Sequence, residues 1–80
     1  MKTMTCNQLG GACEAEFTAE TFKEISEMSQ VHGKEMIEKG EPAHLDAMRH
    51  MEIMMRKEGA MQTWLRGKEF LFNALPRNRD

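Results

Sequence analysis

Five side chains of this 80-residue chain carry the chemistry of metal ligands or nucleophiles: Cys6, Cys13, His32, His44 and His50. Thiolate and imidazole are the ligand types of tetrahedral zinc. A thiol beside an imidazole is equally the start of a redox or nucleophilic pair. The stretch TCNQLGGAC places six residues between the two cysteines, around Gly10-Gly11, whereas structural zinc motifs space theirs more closely. Spacing alone therefore argues for neither chemistry. The plain alternative is two small packed cysteines and hydrogen-bonded core histidines.

What could bring these residues together is the fold. Lys2 to Cys6 is short and Thr-rich, and Cys13 to Thr18 alternates small or apolar with polar residues at period two, as a half-buried strand does. With the glycines between them, residues 2–18 read as a β-hairpin. Symmetric closure pairs Cys6 with Cys13, Met4 with Ala15 and Lys2 with Phe17, putting both sulfurs on one face. Thr21 with Glu24 forms a capping box, and Phe22, Ile25, Met28, His32 and Met36 follow at helical steps, predicting a helix over 21–39 that Gly40 ends. Pro42 opens a second helix over 42–58. Gly59 breaks it, and Met61, Trp64, Leu65, Leu71, Phe72 and Leu75 mark a third over 60–75, ended by Pro76. Residues 77–80 read as a frayed tail.

Cys13 lies five residues before Thr18, about 17 Å at ~3.3 Å per residue. A helix returning from Thr21 at ~1.5 Å per residue regains that height at His32. The same arithmetic, pivoting near Glu41, sets His50 level with His32 and leaves His44 nearer the turn. Two cysteines and His32 thus converge, with His44 or His50 as a fourth ligand.

Nine methionines stand out, four of them (Met48, Met51, Met54, Met55) in the second helix. Methionine fills irregular cores, serves surfaces that accept other proteins, and ligates soft ions such as Cu(I). The apolar arc is wider than one packing face needs, which favours association through Met48, Met51, Met54, Met55 and Trp64. Glu35, Glu38, Glu41, Asp46 and Glu52 are interleaved with Lys34, Lys39, Arg49, Arg56 and Lys57, the pattern of a solvated helix face. No carboxylate sits in an apolar stretch that would suit it to proton transfer.

A net charge of −2 and the absence of a clustered basic stripe argue against a nucleic-acid footprint. No segment reaches the ~20 apolar residues of a membrane span, and the amino terminus has no signal-like apolar run. A cytoplasmic location is the expectation, and there thiols stay reduced or bind metal.

The strings KTMTC, QLGGAC, EFTAETFKEI, HGKEM and GEPAHLDAM resemble a family of small bacterial proteins catalogued as a domain of unknown function. The likeness covers most of residues 2–55 and rests on Cys6, Leu9, Gly10, Gly11, Cys13, Phe17, His32, Gly33 and His44. It implies His44 rather than His50 as the partner of the cysteines, and it implies no activity.

The chain as a whole reads as one α-dominated α+β domain over residues 1–80: an N-terminal β-hairpin, an antiparallel helical hairpin and a C-terminal helix. The leading functional expectation is a small non-enzymatic protein that associates with itself or with another protein. The alternative is a zinc-binding or thiol-redox module built on Cys6, Cys13, His32 and His44.

Overall fold

The computed structural model describes residues 1–77. Strand β1 (Lys2–Thr5) pairs antiparallel with β2 (Glu16–Ala19), and helices α1 (Phe22–Glu38), α2 (Pro42–Met54) and α3 (Ala60–Ala74) follow. This is the expected helix-dominated α+β order. The ends differ: α2 stops four residues before the predicted 58, at the cap Met55, and α1 and α3 lose one residue or so at their termini. Of the predicted tail, residues 78–80 lie outside the described residues.

The hairpin register is also different. Met4 faces Phe17 and Lys2 faces Ala19, not Ala15 and Phe17 as symmetric closure around the glycines required. A short 310 turn over Asn7–Leu9 takes up the chain between the strands, so the loop is longer and Cys13 lies in it. The correction moves each partner by two residues. Because side chains alternate with period two, a two-residue slip leaves every side chain on its original face. Met4, Phe17 and Ala19 therefore point inward, with Thr3 and Thr18 paired through their hydroxyls on the other side at 2.8 Å.

The buried core is small: Met4, Cys6, Leu9, Phe17, Ala19, Ile25 and Phe72. Ile25 is completely buried where α1 crosses the hairpin. The start of α1 is fixed by Thr21, whose hydroxyl accepts from the Glu24 N–H at 3.2 Å and donates to the Glu24 carboxylate at 3.0 Å. That capping contributes about 1 kcal/mol.

The end of α1 determines where α2 begins. Gly40, at φ 71°, lets its N–H reach Ile37 O at 2.9 Å and the Glu41 N–H reach Met36 O at 3.1 Å, which is the Schellman arrangement. Glu41 then caps α2, its carboxylate accepting from the Ala43 and His44 N–H groups at 3.2 and 2.6 Å. One residue closes the first helix and opens the second, so the turn has little freedom.

Helix α3 is tied to the strands from its carboxyl end. Lys2 Nζ donates to Phe72 O at 3.1 Å and Asn73 O at 2.9 Å, and sits 5.2 Å from the Phe72 ring centroid. A cation on these last carbonyls satisfies them and complements the helix dipole. No helix of the described residues is long and apolar enough to cross a membrane.

Candidate metal centre

Cys6 follows β1 directly and starts the 310 turn, with its N–H on Ala15 O at 2.8 Å and its carbonyl accepting from Leu9 and Gly11 at 3.0 and 2.8 Å. The loop then folds back over the cysteine's own sulfur. A Cβ on Gly11 would overlap Cys6 Sγ and stand 3.0 Å from Cys6 O. Only glycine fits there. The same fold aims the backbone N–H groups of Cys13 and Ala12 at Cys6 Sγ, donors of the kind that stabilise a thiolate. Burial opposes them and prevails, so the free Cys6 thiol titrates above its ordinary value of 9.0.

Cys13 returns from the loop with its sulfur 3.2 Å from His32 Nε2, and Cys6 Sγ lies 3.5 Å from His44 Nε2. All four ligand atoms lie within 4.8 Å of one another. Bond lengths of ~2.3 Å for sulfur and ~2.0–2.1 Å for nitrogen around a tetrahedral zinc imply ligand separations of about 3.3–3.8 Å. The set is close to that size. Cys6 and His44 are buried, Cys13 and His32 half-buried.

The two histidines are held differently. His32 is wedged edge-on between the rings of Phe17 (centroids 5.5 Å apart) and His44 (5.4 Å). His44 Nδ1 donates to Glu41 Oε2 at 2.6 Å. With the proton fixed on Nδ1, the Nε2 lone pair faces Cys6. A carboxylate behind a ligating histidine is the usual outer-shell support of a metal site. The Glu41 carboxyl is held below its ordinary 4.5, first by the His44 backbone N–H and then by the His44 ring.

Four expected ligands are thus brought together, and His50 is not among them. Level arithmetic pairs His50 with His32 only if α1 and α2 run side by side from Glu41. His32 lies nine residues before that pivot and His44 three after it, yet their rings meet. The residues that meet across the Lys39–Glu41 turn are therefore not those at equal counts from Glu41. His50 is also six residues beyond His44, about 240° further round the helix, and it is exposed beside Ala47, Ile53 and Met54.

Glu41, which the charge pattern places among the solvated carboxylates, is instead part of the site. Its signal was local: a carboxylate before a first-turn proline and three residues before a histidine, in Glu41-Pro42-Ala43-His44. The interface candidates are spread out. Met51 and Trp64 are half-buried and meet over Gly10, Met55 is half-buried, and Met48 and Met54 are exposed. Met48 and Met51 border a cleft of about 600 Å³ between α1 and α2 that Cys6 and His44 also line.

Chemically, two thiols and two imidazoles can enclose one tetrahedral ion, and no fifth Cys, His, Asp or Glu joins the set among the described residues. Burial that raises the Cys6 thiol disfavours that sulfur as a nucleophile, whereas Cys13 is half-buried with His32 Nε2 3.2 Å from its sulfur. The chain matches no protein-family model, no curated protein and no solved structure.

Proposed function

We propose that this protein is a zinc-binding module in which Cys6, Cys13, His32 and His44 hold one ion. The observation that supports this is the convergence of four soft or borderline ligand atoms within 4.8 Å from the hairpin loop, α1 and α2. A closed Cys2His2 set suits Zn2+ above the other common divalent ions, and Zn2+ balances two thiolates without residual charge. The ion is structural here. It ties the loop to both helices in a chain whose core is near the lower limit for independent stability.

Native mass spectrometry of protein purified without chelator tests this. One zinc per chain is expected, with both thiols protected from alkylation in the folded state, and Cys13→Ser and His32→Ala variants should lose the ion. Metal-free protein whose two thiols alkylate rapidly while folded would exclude the reading.

A further inference from the structure

A folded monomer of 9.2 kDa is expected to expose about 4,900 Å². This chain exposes 5933 Å². Its radius of gyration is 12.9 Å against about 11.6 Å for a compact chain of this length, and its extents of 36 × 30 × 15 Å describe a flattened molecule. The excess of about 1,000 Å² is close to the ~800 Å² that each partner buries in a standard interface.

The uncovered apolar surface includes residues on α3 and at the end of α2. Phe72 points into the core, and Phe70, two residues away and so about 200° round the helix, is 73% exposed, with Leu71 at 47%. Gly67, one turn earlier, has open space where a Cβ would be, so the backbone there can be approached closely. Across from this helix, Ile53 (62% exposed) and Met54 (45%) line a groove of about 640 Å³ whose other bank is Trp64. The surface holds a projecting ring and a largely apolar groove of a size to receive one. A knob and a groove on one chain allow a two-fold pairing in which each contact is made twice.

We propose that two copies of this chain pair about a two-fold axis, Phe70 and Leu71 of each packing against Ile53 and Met54 of the other. Arg66 and Glu69 flank the patch with opposite charges, and a net charge of −2 per chain gives little repulsion between copies.

Sedimentation equilibrium of the full chain over micromolar to millimolar concentration provides the test. The protein should sediment at twice its chain mass, and the Phe70→Glu/Leu71→Glu double variant at the single chain mass, with its far-UV spectrum and zinc content unchanged. Ile53→Glu, on the other helix, should dissociate the pair independently, and Phe70→Ala should weaken it about thirtyfold, the ~2 kcal/mol of an interface anchor. A chain that stays monomeric throughout, or a dimer that survives both the double variant and Ile53→Glu, would overturn the proposal.

Discussion

Glu41 performs three tasks with one carboxylate: it accepts from Ala43 N–H, from His44 N–H and from His44 Nδ1. Glu41→Gln keeps a capping oxygen but removes the charge that supports the ligand imidazole. Zinc affinity should fall about 10–100-fold, read by competition with a chromophoric chelator, while Asp46→Asn on the exposed side of α2 leaves it unchanged. The raised Cys6 thiol gives a pH signature. A group whose folded pKa is raised stabilises the protein below its unfolded value and loses that contribution as pH rises through the folded value. Metal-free protein should therefore lose stability above pH 9.0, as the buried thiol is forced to ionise. Zinc-loaded protein, whose thiols are already deprotonated on the ion, should not, and urea titrations at pH 7 and 10 with and without zinc distinguish the two.

Among the elements, the hairpin and α1 were readable from local pattern. Thr21 and Glu24 fixed the helix start, and inward Met4 and Phe17 survived a wrong register because the error was an even number of residues. What local pattern could not supply was the loop: the 310 turn at Asn7–Leu9 depends on Gly11 tolerating the Cys6 sulfur, a contact between chain segments rather than a propensity. Helix α3 depends on a contact of this type as well. Lys2→Met preserves the aliphatic stem over Phe72 but abandons the carbonyls of Phe72 and Asn73. A loss of about 1 kcal/mol is expected, appearing in hydrogen exchange as faster exchange across α3 with little change in α1.

For the whole molecule the balance is set by the small core. With few fully buried side chains among the described residues, burial alone contributes only about 3–5 kcal/mol net to a domain of this size. Removing zinc with EDTA should lower the melting temperature by at least roughly 8 °C, since 2 kcal/mol shifts a domain this small by roughly 8–16 °C. Differential scanning calorimetry before and after chelation, with restoration on adding one equivalent of zinc, measures it.

The sequence by itself determined the order of elements, the faces of the strands, and the meeting of Cys13 with His32. Each of these follows from a fixed rise per residue or a fixed alternation. Counting residues from Glu41 did not select His44 over His50; the tertiary structure brings His44 to the cysteines and gives Glu41 its role. Both depend on how the Gly40–Glu41 turn joins α1 to α2, and that turn is held by hydrogen bonds from both helices rather than by the period of either one.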